Sequence, residues 1–154
     1  RYVSNPNYYS DANIFDVICA AATAVRLNNF KGDLTCILNT VWMAQMMGVK
    51  NSEGDYIVPP FASQDGRQIG ETRIVFTNRL ADDKIIIGDL KKFNVVMSEN
   101  VLYDEGYEND DFSKNLVTRK LEAFLGTYIK ASDAGAIIVD DISTIQSAIA
   151  SIEP

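Results

Sequence analysis

Between about residues 12 and 28, apolar side chains recur at Ile14, Val17, Ile18, Ala21 and Val25, with Asn13, Asp16 and Arg26 on the opposite side. That spacing is the period of an amphipathic helix. Ser10 or Asp11 is placed to cap it, and Asn28-Asn29 and Lys31-Gly32 end it. Short apolar segments follow. Leu34 to Leu38 reads as a buried strand. Asn39 or Thr40 opens a second helix through about Met47, whose apolar positions are Trp42, Met43, Met46 and Met47, and Gly48 closes it. Asn51 to Asp55 is a tight turn, and Pro59-Pro60 begins a polar loop that lasts to Gly70. Arg73 to Thr77, Lys84 to Ile87 and Phe93 to Met97 read as strands.

From Val101 the character changes. Asp104 to Asp111 carries five acids and no base, and it marks the candidate boundary between two structural units. Phe112 to Ile129 supports two readings. Val117, Leu121, Phe124, Leu125 and Tyr128 share one face of a helix. Against that, Gly126 would cost about 1 kcal/mol inside a helix, and Thr118, Thr127, Tyr128 and Ile129 favour extended backbone. Alternation also fits passably, with Val117, Leu121, Ala123, Leu125 and Ile129 on one side and Arg119 breaking the row. Ala136 to Val139 reads as a strand, and Asp140 and Asp141 as caps of a final helix over about 142–149.

The chain contains no histidine. This removes Ser-His-Asp and Cys-His catalysis, the usual zinc sites and the commonest base near neutral pH. Cys19 and Cys36 lack metal spacing and read as small buried hydrophobes in a reducing compartment. Gly66 to Gly70 lacks the Gly-Lys-Ser/Thr ending of a phosphate loop. Asp82-Asp83, Asp110-Asp111 and Asp140-Asp141 read as turns and a helix cap, since adjacent acids on a strand face opposite ways. The acidic stretch could offer oxygens to calcium, but it does not match the Asp-x-Asp-x-Asp-Gly loop; a solvated loop or a subunit contact fits it better. A net charge of -7 argues against sequence-independent nucleic-acid binding, and no apolar run approaches the roughly 20 residues of a membrane span. The residues therefore predict a soluble α+β protein, not an enzyme, with no cofactor and no metal. The start at Arg1 rather than Met indicates that an N-terminal portion is missing.

From Leu34 onward the sequence resembles the major capsid proteins of tailed bacteriophages, the Hong Kong 97-like family. The resemblance rests on ordered motifs: a strand ending at Asn39, the helix start Thr40 to Trp42, and the turn Lys50-Asn51-Ser52-Glu53-Gly54-Asp55-Tyr56. Gly70 then precedes a strand, Ile87-Gly88-Asp89-Leu90 leads to Phe93, and Phe112, Asn115 and Val117 open the last long segment. It spans roughly residues 12 to 140. It departs from the family at Thr40, where a proline is usual, in the few arginines of the last segment, and in the helix after Asp141.

The resemblance implies the C-terminal portion of a shell subunit that self-assembles to enclose DNA in a virion capsid, put together in the bacterial cytoplasm of a phage or prophage host. It implies an axial domain over residues 1–100, a sheet flanked by helices that meets its copies around five- and six-fold positions. Residues 101–154 would be the C-terminal strands of a truncated peripheral domain plus an added helix. The segment 112–129 would then be mostly strand, its inward face packed on a spine helix that precedes Arg1 in the intact subunit and, in this fragment, either exposed or covered by the final helix. Partners would be copies of itself, through subunit contacts drawn from Asp104, Glu105, Glu108, Asp110, Asp111, Asn115, Arg119 and Glu122. Some family members cross-link through a Lys–Asn isopeptide bond with a glutamate assisting; Asn115 and Glu122 fall at the matching positions, though a structural role suits Asn115 better. The rivals are a bacterial nanocompartment shell of the same fold, a small-molecule or glycan-binding module using Tyr2, Tyr8, Tyr9 and Trp42, and an enzyme working with carboxylates alone.

Overall fold

The computed structural model describes Tyr2 and residues 12–57, 59–60, 62–63, 65–98 and 100–150. Helix α1 (Ile14–Leu27) buries Ile14, Val17, Ile18, Ala21 and Val25, the stripe its period requires. Its cap is Asn13, not Ser10 or Asp11, which lie outside the described residues. The Asn13 side chain accepts from the N–H groups of Phe15 and Asp16, and the Asp16 carboxylate accepts from the Asn13 N–H, a capping box.

Five strands form the main sheet in the order β2-β3-β1-β4-β9. They are β1 (Thr35–Asn39), β2 (Gln68–Ile69), β3 (Thr72–Thr77), β4 (Lys84–Gly88) and β9 (Ile137–Asp141). β1 and β3 run parallel, and helix α2 (Val41–Met47) lies in the crossover between them; the other pairings are antiparallel. Cys36, Leu38, Ile74, Ile85, Ile87 and Ile138 are buried with α1 and with helix α4 (Ile142–Ala150) in one core. The cap expected of Asp140 and Asp141 for α4 comes instead from Asp83. Its carboxylate accepts from the Ser143 N–H and hydroxyl, and its carbonyl accepts from the Ile142 N–H at 2.7 Å.

The motifs that carried the resemblance are structural ties in this unit. Asn39 is buried; its amide donates to the Leu80 carbonyl and accepts from the Val41 N–H, joining β1 to α2. Trp42 Nε1 donates to the Asp82 carbonyl at 2.6 Å. Asn51 accepts from the Glu53 and Asp55 N–H groups inside the turn, and Lys50 stands over the Tyr56 ring at 4.6 Å. At Gly88-Asp89, β9 crosses so close that a Cβ on Gly88 would sit 2.1 Å from the Ala136 carbonyl oxygen. Asp89 then caps the 3-10 turn Leu90–Lys92 through the N–H of Lys91.

The compact units divide differently from the expected 1–100 and 101–154. One comprises residues through Lys92 together with those from Lys130 onward; the other is Phe93–Ile129. The acidic stretch is not a boundary, because Asp104 and Glu105 lie inside a strand. The final helix is also not an appendage of the second unit: α4 packs on α1 and β9, and Ile142, Ile145 and Ile149 are fully buried there.

The second unit is a two-stranded ribbon. Strands β5 (Phe93–Met97) and β6 (Leu102–Gly106) run outward, helix α3 (Asp111–Lys114) turns the chain, and β7 (Thr118–Glu122) and β8 (Leu125–Ile129) return. β5 pairs with β8 and β6 with β7, both antiparallel. The segment that supported two readings is therefore extended. Helical spacing lost there because its β-formers each find a partner across a ladder, while Gly126 sits opposite Val96.

Candidate assembly interface

Strand alternation puts Phe93, Val95, Met97, Leu125 and Ile129 on one face of the ribbon base, since Phe93 faces Ile129 and Met97 faces Leu125 across the ladder. Every one of these side chains is exposed, and no described residue of the ribbon is buried. A two-stranded ribbon with an open apolar face has little to hold it in water. At about 25 cal/mol per Å² of apolar area buried, covering such a face is a large favourable term for whatever docks on it. These residues were not among the expected contact positions. Their apolar run reads equally well as an ordinary buried strand, and only the topology shows that the strand has a single neighbour.

The eight expected contact residues all lie in the outer half of the ribbon, and most are engaged within it. Asp104 faces Lys120 and Glu105 faces Arg119 across β6 and β7, so the charge order fixes the ladder's register. Glu105 also pairs with Arg119 at 3.5 Å and accepts from the Tyr103 hydroxyl, which raises the tyrosine's pKa. Glu122 pairs with Lys120 and holds its pKa up. Asp110 pairs with Lys114 one turn along α3. Asp111 accepts from the Thr118 hydroxyl and the Glu108 N–H, and these bonds, the hydroxyl's first, lower its pKa. Asn115 ends α3 in the left-handed region at φ 57, a conformation a short polar side chain tolerates.

Elsewhere the described residues offer little for chemistry. They contain no group of three or more His, Cys, Asp or Glu arranged to hold a metal, and no helix long and apolar enough to cross a membrane. Cys19 and Cys36 are free thiols, and burial pushes Cys36 up to about 12. Tyr2 donates to Asp140 and packs against the core, and Trp42 is spent on Asp82, so these two do not form an open aromatic patch. Tyr8 and Tyr9 lie outside the described residues.

No protein-family model matches this sequence, and no curated protein does. Solved structures do match. The virus-like particle from Pyrococcus furiosus is similar at TM-score 0.52 and 20% identity, over 90% of this chain and 54% of that one. The capsid of the empty GTA particle is similar at TM-score 0.57 and 13% identity, over 84% and 44%. The satellite phage P4 procapsid is similar at TM-score 0.51 and 12% identity, over 82% and 37%. The chain thus shares the α+β fold of these capsid and virus-like-particle proteins. It spans about half, or less, of the length of those chains.

Proposed function

We propose that this chain is the C-terminal portion of a phage-type major capsid protein, whose work is self-assembly into a DNA-enclosing shell and not catalysis. The observation that carries the reading is the Phe93–Ile129 ribbon, which has no buried residue among those described and one largely apolar, exposed face at its base. On a shell-subunit fold, such a surface is what assembly buries. The sheet unit takes the role of the axial domain, and the ribbon that of the peripheral domain. The ribbon's apolar face packs on the spine helix of the longer protein. The acidic outer residues from Asp104 to Glu122 serve contacts between copies, which places the protein in the virion capsid.

Electron microscopy of the protein extended upstream of Arg1 tests this: closed shells are expected from the longer chain and none from residues 1–154 alone. Shell-sized particles from the short chain, or a longer chain that stays monomeric, would overturn it. A nanocompartment shell, favoured by the likeness to a virus-like particle, differs in its contents, so protein cargo in place of DNA inside the purified shells would decide for it.

A further inference from the structure

The base of the ribbon carries no charge on either face. Residues 93–98 and 124–129 include no Asp, Glu, Lys or Arg, whereas the outer half, 102–122, holds nine. Strand alternation puts Val96, Gly126 and Tyr128 on the face opposite Phe93 and Val95. The Ser98 N–H donates to the Phe124 carbonyl at 3.0 Å, which extends the ladder by one row. Val96 is 48% exposed, Phe124 58% and Tyr128 47%. Over Gly126 lies an open hollow of about 340 Å³, lined also by Val96, Ser98, Phe124 and Leu125.

Nothing among the described residues requires glycine at position 126. Its φ is not in the left-handed region, and an added Cβ would meet only the Val96 carbonyl oxygen, at 4.0 Å. Glycine weakens a strand, and inside one it commonly marks where another chain or a ligand comes close. The surface around it is self-complementary, because a large ring, Tyr128, projects two residues along from the hollow. Among the described residues neither the Tyr128 nor the Ser98 hydroxyl makes a hydrogen bond, and a tyrosine hydroxyl needs a partner once buried. A face without charge gives a charged partner nothing to pair with. A second copy of the chain brings the matching ring, hollow and hydroxyl.

We infer that this face of the ribbon base packs on the same face of a second copy about a two-fold axis. The Tyr128 ring of each copy sits in the hollow over Gly126 of the other, and its hydroxyl donates to Ser98 there. A two-fold contact requires a self-complementary surface of this kind. The inference goes beyond the shell reading, which assigns the opposite face, that of Phe93 and Val95, to the spine helix. The exposed parts of Val96, Phe124 and Tyr128 amount to roughly 250–400 Å² per copy, against about 800 Å² per partner in a standard interface. The dimer is therefore weak and concentration-dependent.

Sedimentation equilibrium on the 154-residue chain tests it, with circular dichroism confirming that each variant is folded. Val95→Lys is present throughout, to keep the opposite face out of the association. Dimers should form with a Kd below about 0.1 mM. Gly126→Val fills the hollow yet favours extended backbone, and Tyr128→Ala removes the ring; each should dimerise at least about tenfold more weakly. Mixed one to one, the two variants should associate more tightly than either does alone. The ring of the first enters the open hollow of the second, and the new valine fills the space the missing ring leaves. Three results each overturn the inference: a chain still monomeric at about 0.5 mM, a Gly126→Val chain that dimerises as tightly as its parent, or a mixture no tighter than its components. A monomeric short chain, with Gly126→Val destabilising only the protein extended upstream of Arg1, would make an upstream segment the occupant and overturn it as well. Loss of this dimer leaves the shell reading intact, and a longer chain that forms no shells sinks only the shell reading.

Discussion

Replacing Gly88 by alanine should be among the costliest single-methyl additions in this chain. The new Cβ would lie 2.1 Å from the Ala136 carbonyl oxygen and 2.7 Å from Ile137 Cα, more than an ångström short of ordinary contact. Both obstacles are backbone, the Ala136 carbonyl just before β9 and Ile137 at its start, so no side chain can swing away. Relief means pushing β9 off β4, which strains the five-pair ladder and the Asp89 N–H bond to Ala136 at 3.0 Å. Overpacking costs about 1–3 kcal/mol, a lost hydrogen bond about 1 kcal/mol, and a left-handed-side φ of +158 about 1 kcal/mol more. Together these come to about 3–5 kcal/mol, a large part of the roughly 5–15 kcal/mol of a typical domain. Urea unfolding followed by Trp42 fluorescence reads this unit alone, since the only tryptophan sits in it. With a slope of about 1.5 kcal/mol/M, the midpoint should fall by about 2–3 M at unchanged slope. A Gly88→Ala midpoint within about 0.3 M of the parent would refute the close approach as the reason for glycine.

Ile145→Ala, in the fully buried face of α4, should cost about 2–5 kcal/mol by the same urea assay; a change under 0.5 kcal/mol would mean that α4 is not part of the core. Asp83→Ala should lower stability by about 1–2 kcal/mol through loss of the α4 cap, with Asp83→Asn retaining much of it, read by thermal melts in circular dichroism. Cys36 is raised in the fold from 9.0 to about 12. Its contribution is therefore fully present below pH 9 and lost as pH rises toward 12, and Cys36→Ala should flatten that part of the stability profile. Val95→Lys should leave the unfolding of the sheet unit unchanged, because Val95 is exposed on the ribbon; in the longer protein it should abolish shells seen by electron microscopy.

Legibility in the sequence followed the range of the interactions involved. α1, α2 and the strands near 73–77, 84–87 and 93–97 could be read because a local period or a turn residue specifies each. The caps were harder, since they depend on which neighbour arrives first. Asn13 caps α1, and Asp16 completes its box. Asp83 capped α4 from sixty residues away, and no local pattern announces such a donor-acceptor pair. The unit boundary failed for the same reason. Five acids in eight residues look like a solvated linker until Lys120 and Arg119 are placed opposite Asp104 and Glu105. That pairing is a property of register, not of composition.

The expected contact residues and the exposed apolar face together indicate how the ribbon divides its work. In its outer half, acids and bases are matched across the ladder, which sets register without a core. In its base, Phe93, Val95 and Met97 face Ile129, Thr127 and Leu125, so the ladder supplies hydrogen bonds but leaves one apolar face in water. A ribbon built this way is specified in shape before it is stabilised. Its hydrogen bonds and charge order select one pairing, and burial of the apolar face adds the free energy only when a partner arrives. The sheet unit, by contrast, carries its own core from α1, α4 and five strands.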